Sequence, residues 1–300
     1  MPVPRRALLA ASVSLAAAAC APRGEHTPPG PERPDGGATA SGPSAAASAT
    51  PTRTQSPVPS PSPTPARPSR AALVEEYGTR RPTAFGTDLP GVVRRTPADA
   101  VCLTFDACGG RRGSGVDRAL LEVLATTGTP ATLFLNARWI DANPSLARDL
   151  AAAPHLEIQD HGTRHRPLTV DGRAAYGIRG TRDVGELVDE VLDNRARLAA
   201  LTGVEPTCFR AGTAHVDDVA VEICTRLGVR LVHFDVNADA GATFTPDEVR
   251  RALVGVRAGS IAIGHCNQPG SGTAAGVRRA IPELRDRGVR FARLSDALAG

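Results

Sequence analysis

The sequence contains no lysine, and all 35 of its basic residues are arginine. Such uniformity points to genome composition, so a single arginine carries little chemical information by its type alone. Aromatic residues make up only 3%, with one tryptophan, Trp139, and two tyrosines, Tyr77 and Tyr176. Beyond residue 70 the 28 arginines are matched by 28 acidic residues. A neutral body with few aromatics lacks the basic stripe and the stacking platform of nucleic-acid binding, and that class is excluded. There is no C-x-x-C pair, which argues against a structural zinc knuckle. Nor is there an apolar run of about 20 residues, the length a bilayer-spanning helix needs.

The longest apolar run, Ala7 to Ala19, is 13 residues and follows Arg5 and Arg6. Residues 1–20 are therefore expected to be a secretory signal, and the arginine pair also suits twin-arginine export. Ala17-Ala18-Ala19-Cys20 resembles a bacterial lipoprotein cleavage box, although Leu15 stands two positions too early. Lipidation of Cys20 is the expectation, with simple secretion as the alternative. Residues 21–70 hold 13 of the 26 prolines, and Val58 is their one large apolar residue. That composition cannot bury enough surface to offset its ordering entropy, so a disordered tether spanning roughly 40 Å is expected. The folding unit is then 71–300, a size suited to one α/β domain. The expected location is the cell membrane, lipid-anchored and facing the wall, or the exterior. No protein partner is expected.

From residue 99 onward short β-branched runs alternate with amphipathic stretches. Strands are expected at 100–105, 131–135, 155–159, 207–210, 230–235, 260–264 and 290–293. Helices are expected at 116–127, 145–152, 181–201, 216–227, 246–254 and 273–287. The 181–201 stretch carries Val184, Leu187, Val188, Val191, Leu192 and Leu198 at core spacing. Thr245-Pro246-Asp247-Glu248 is a capping box with proline at the first helical position. Strict strand–helix alternation implies a parallel sheet, open or closed into a barrel.

Five apolar runs lead into residues with chemical potential: Asp106; then Asp160, His161 and His165; Arg210; Asp239; and His265. Parallel α/β folds gather the carboxyl ends of their strands on one face, and that face carries the site. Singly, each signal is weak. An aspartate after a strand is usually a turn or cap, and a lone histidine is usually structural. Their common placement makes them a candidate constellation.

Thr104-Phe105-Asp106, His161-Gly162-Thr163-Arg164-His165, Phe209-Arg210-Ala211-Gly212, Asp239, and Gly259 to His265 resemble, in order, the motifs of the polysaccharide deacetylases with NodB homology. The resemblance implies a distorted (β/α)7 barrel and metal-dependent removal of acetyl groups from amino sugars of a cell-envelope, peptidoglycan-like polysaccharide. It implies a divalent ion, zinc by type, on His161 and His165. It makes Asp106 the base and His265 the acid, with Arg210 orienting Asp106 and Asp239 orienting His265. These roles suit amide hydrolysis, which needs an activated water, an electrophile for the oxyanion and a proton for the leaving amine.

Four positions depart from the family pattern, the first being Gly162, which stands in the Ser/Thr place of the histidine motif. The second aspartate of the first motif, a metal ligand, is Ala107; Asp106 itself, Asp160 or Cys108 could take its place. Cys108 could instead be simply buried, or paired with Cys266. Thr213 replaces a tyrosine and Ala240 a tryptophan, which removes two aromatic walls. Two alternatives therefore stand beside deacetylation: a glycan-binding pseudo-enzyme, and a hydrolase of another acyl or non-peptide C–N bond.

Overall fold

The computed structural model describes residues 67–299. The expected signal segment, the lipidation site Cys20 and the expected linker up to residue 66 lie outside the described residues. Arg67 pairs with Glu205, and Ser69 caps helix α1 (Arg70–Tyr77) by accepting from the Ala72 amide.

Seven parallel strands form one sheet in the order β7-β5-β4-β3-β2-β9-β8. They are β2 (Cys102–Ala107), β3 (Ala131–Leu135), β4 (Leu156–Asp160), β5 (Cys208–Phe209), β7 (Arg230–Leu231), β8 (Val236–Asn237) and β9 (Ile261–His265). A two-stranded ribbon, β1 (Phe85–Gly86) with β6 (Val216–Asp217), lies apart from this sheet. The edge strands β7 and β8 are consecutive in the chain. Five residue steps from Leu231 to Val236 reach at most about 19 Å, whereas seven flat strands would set their edges about 29 Å apart. The sheet must therefore curl, and the result is a distorted (β/α)7 barrel. Val93 helps close the gap: its amide donates to the Leu231 carbonyl and its carbonyl accepts from the His233 amide. Asp235 spans to β9 by accepting from the Ile261 amide at 2.8 Å.

Side-chain alternation separates two layers. Leu103 and Phe105 of β2 pack outward against helices α2 (Arg118–Thr127), α7 (Pro246–Val254) and α8 (Thr273–Asp286) in one apolar cluster. Cys102 points the other way and meets Phe134, Cys208, Val232 and Ile261 inside the barrel. Cap chemistry sets the helix starts. Asp117 opens α2, Asp183 opens α5 (Val184–Thr202), Asp217 opens α6 (Asp218–Arg226), and the Thr245–Glu248 box opens α7 as expected. Helices α3 (Ala137–Ala142) and α4 (Pro144–Ala151) meet at Asn143.

Several expected elements differ. The 216–227 helix gives up Val216–Asp217 to strand β6 and runs over Asp218–Arg226. The 230–235 strand is cut to β7, and β8 follows just beyond its expected end, because the chain between them crosses the barrel's gap. The expected 290–293 strand is reduced to a bridge between Val101 and Phe291, and Leu294–Ala299 continues as helix α9.

Candidate active site at the mouth of the barrel

Register places the chemistry. Asp106 and His265 are direct neighbours across the β2–β9 pairing, and Asp160 stands opposite Leu135 across β3–β4. The carboxyl ends of β2, β4, β5 and β9 thus open on one cavity of about 460 Å³, lined among others by Asp106, Cys108, His165 and His265.

Asp106 is buried. Its Oδ1 accepts from Arg210 Nη1 at 2.7 Å, and its Oδ2 lies 3.6 Å from His161 Nε2. Burial alone would push this carboxyl up, but the guanidinium of Arg210, with His161 and His265, holds it below the usual range. Arg210 is itself fully buried and fixed on every side. Its Nε donates to the Val232 carbonyl, its Nη2 donates to the His233 carbonyl, and its guanidinium lies 4.1 Å from the Phe134 ring centroid.

His161 donates through Nδ1 to the Arg210 carbonyl at 2.8 Å, leaving Nε2 for the site. The Cys108 Sγ is 3.7 Å from that Nε2, and the His161 and His165 rings meet edge to face at 4.8 Å. One ligand atom each from Cys108, His161 and His165 lies within 4.8 Å of the others. Two imidazoles and a thiol are a donor set for zinc, and donors of a tetrahedral zinc site stand about 3.3–3.6 Å apart. The donor types suit such an ion. Burial opposes ionisation of the Cys108 thiol, yet His165, His161 and His265 together draw it well below its ordinary value.

His265 pairs with Asp239. Its Nδ1 stands 2.9 Å from Asp239 Oδ1, and its amide donates to Oδ2 at 2.7 Å. Thr273 Oγ1 and the Gly241 amide also donate to this carboxylate. Burial opposes a charged His265, but Asp239 and Cys108 outweigh it and raise the imidazole well above its usual value. Burial opposes a charged Asp239, but His265, with the Ala242 amide and Thr273, holds this carboxyl below its usual range.

Among the expected residues, Asp106, His161, His165, Arg210, Asp239 and His265 are brought together, with Cys108 beside them. Asp160 is not. Its Oδ1 accepts from Gly162 N and from Asn194 Nδ2 of α5, and burial raises it to about 7. It buttresses the loop after β4 and is removed as a ligand candidate. The pairing of Cys108 with Cys266 is also absent: both thiols are free, and Cys266 donates to the Asp106 carbonyl.

Residues invisible to motif reading shape the site. Glu190 of α5 accepts from the amides of Arg164 and Arg166 and so holds the loop that presents His165. Asn136 donates through Nδ2 to the carbonyls of His161 and Gly162. Among the described residues six non-glycines adopt positive φ, and five of them, His165, Tyr176, Thr213, Ala214 and Ala240, line the cavity. Such backbone conformations are concentrated at this one mouth, as they commonly are around ligand-binding and catalytic sites.

The sequence model of the polysaccharide deacetylases matches residues 93–232. A chitooligosaccharide deacetylase of Sinorhizobium fredii is 30% identical over 205 residues, which cover 64% of this chain and 89% of that protein. The chain belongs to the polysaccharide deacetylase family. That family hydrolyses C–N bonds outside peptides. Solved structures of low identity share the fold. A peptidoglycan N-acetylglucosamine deacetylase superposes with a TM-score of 0.58 at 20% identity, covering 70% of this chain and 93% of that one. A family 4 carbohydrate esterase pseudoenzyme from Bacillus anthracis gives 0.56 at 20%, covering 70% of each chain.

Proposed function

We propose that this polysaccharide deacetylase removes acetyl groups from amino sugars of a cell-envelope glycan, exported and either lipid-anchored through Cys20 or secreted. The observation that supports this most directly is the placement of two locked, oppositely tuned groups on the cavity. Asp106 is held ionised by Arg210, and His265 is held protonated by Asp239.

His161, His165 and Cys108 would hold a divalent ion, with zinc favoured by the thiol. Cys108 is preferred to Asp106 as third ligand because Asp106 is engaged by Arg210. When bound, such an ion polarises the acyl carbonyl and acidifies a water. Asp106 accepts the water's proton on Oδ2, the oxygen that Arg210 Nη1 leaves free. His265 donates its Nε2 proton to the departing nitrogen, because Nδ1 is committed to Asp239. The hydrolysis breaks the amide C–N bond and yields acetate and a free amine.

Ala107 favours the reading as a non-catalytic glycan binder, since it removes a ligand of the family pattern. The nearby Cys108 thiol weighs against it by offering a replacement donor. Acetate release from peptidoglycan or N-acetylglucosamine oligomers by the purified chain tests the proposal, and its absence with zinc present refutes it.

A further inference from the structure

Beyond His165, residues 167–182 of the segment between β4 and α5 form a stalk that no catalytic role uses. Its base is cross-linked by two buried threonines: Thr169 Oγ1 donates to the Thr181 carbonyl at 2.6 Å, and Thr181 Oγ1 returns a bond to the Thr169 carbonyl at 2.5 Å. The Gly172 amide adds a third tie, to the Thr181 carbonyl at 2.9 Å. At the tip, Ala175 and Ile178 exchange both backbone hydrogen bonds, at 3.0 and 2.9 Å, around Tyr176 and Gly177.

Both turn residues have positive φ, 50° at Tyr176 and 74° at Gly177. Two-residue hairpin turns of this kind favour asparagine or glycine at the first position. A tyrosine there sits at a conformational cost. Tyr176 is nonetheless 84% exposed, so burial of its ring does not offset that cost. The ring stands edge-on to His215 at 5.3 Å, and His215 in turn leans on Phe85 at 5.4 Å. Tyr176 and Ile178 border the same cavity as Asp106 and His265.

An aromatic face presented to solvent at the rim of the candidate catalytic cavity suits a ligand with an apolar face and a polar edge. A pyranose ring has both: axial C–H groups on one side and hydroxyls around its rim. We propose that Tyr176 forms a stacking subsite for a second sugar ring, next to the one whose amide meets Asp106 and His265. The ligand class, an amino-sugar oligomer, rests on the deacetylase reading. The subsite makes oligomers better ligands than monosaccharides, and it supplies an aromatic wall where Thr213 and Ala240 offer none.

Calorimetric titration of the purified full chain with the pentamer of N-acetylglucosamine tests this, using wild type, Tyr176→Asn and Tyr176→Phe. Asparagine suits the turn, so Tyr176→Asn is expected to melt at the same or a higher temperature while its Kd weakens by about three- to tenfold, the range of an aromatic stack. Tyr176→Phe is expected to keep wild-type affinity. An unchanged Kd in Tyr176→Asn, a melting temperature that falls together with affinity, or no binding of the pentamer to wild type overturns the subsite. Acetate assayed on the same samples separates the two claims. Tyr176-dependent binding without acetate sinks the hydrolase and leaves the subsite. Acetate release with Tyr176-independent affinity does the reverse.

Discussion

Arg210 donates to Asp106 across 2.7 Å, and both side chains are buried at the centre of the barrel. Removing one partner of a buried pair leaves the other charge unpaired, which costs about 3–5 kcal/mol. Arg210→Met is therefore expected to lower unfolding stability in urea by that amount, and Arg210→Met with Asp106→Leu together by less. A double variant that loses the sum of the Arg210→Met and Asp106→Leu losses would show that the pair is not coupled.

The loop presenting His165 depends on a glycine. Gly162 has φ +78°, and a Cβ there would lie 2.6 Å from Glu190 Oε1. Gly162→Ser, the residue type the family motif carries, is thus expected to displace Glu190 from the 164–166 amides. The expected outcome is a loss of about 1–3 kcal/mol in stability and weaker zinc binding. Tolerance of serine with unchanged zinc affinity would contradict this account of the loop.

His233 makes folding sensitive to acid. Burial, with Arg210 and His215 nearby, lowers its pKa from 6.5 to about 4 against the pull of the Thr87 carbonyl and Asp106. The neutral form is native, so its contribution is full above pH 6.5 and is lost as pH falls towards 4. The shift corresponds to about 3 kcal/mol. Asp160 and Asp217, raised to about 7 and about 6, run in the opposite direction and gain on acidification. The contrast between wild type and His233→Leu isolates the histidine. The gap between their stabilities should shrink from pH 7 to pH 4, and a constant gap would refute the assignment.

Much of this architecture was legible because it is local. The 131–135 strand and the 246–254 helix appear at their expected bounds, the first as a run of apolar and β-branched residues, the second because its capping box and proline mark the start. The 181–201 helix starts instead at Val184, since Asp183 caps by accepting from Glu186 N. Helices α1, α3 and α9 are only six to eight residues long, too short for periodicity to show. At the site, strand ends revealed Asp106, Arg210 and His265. Glu190 and Tyr176 were silent because one acts across 24–26 residues of chain on backbone amides, and the other by exposure at a hairpin tip. Asp160 carried the same strand-end signal as Asp106, but strand alternation turned it towards α5.

Cys108 gives the metal site a spectroscopic signature. With cobalt in place of zinc, the wild-type chain is expected to show a sulfur-to-cobalt charge-transfer band in the near ultraviolet, and Cys108→Ser to lose it along with at least about tenfold in zinc affinity. A cobalt-loaded wild type without that band would return the third ligand to Asp106.

Steady-state acetate release from an N-acetylglucosamine oligomer, compared among wild type, Asp106→Asn and His265→Ala, bears most directly on the proposed hydrolysis. General acid–base groups contribute about 10²- to 10⁴-fold, so each variant should lose that much in kcat while still binding the oligomer. Acetate release by both variants at the wild-type rate would contradict the assignment of base and acid.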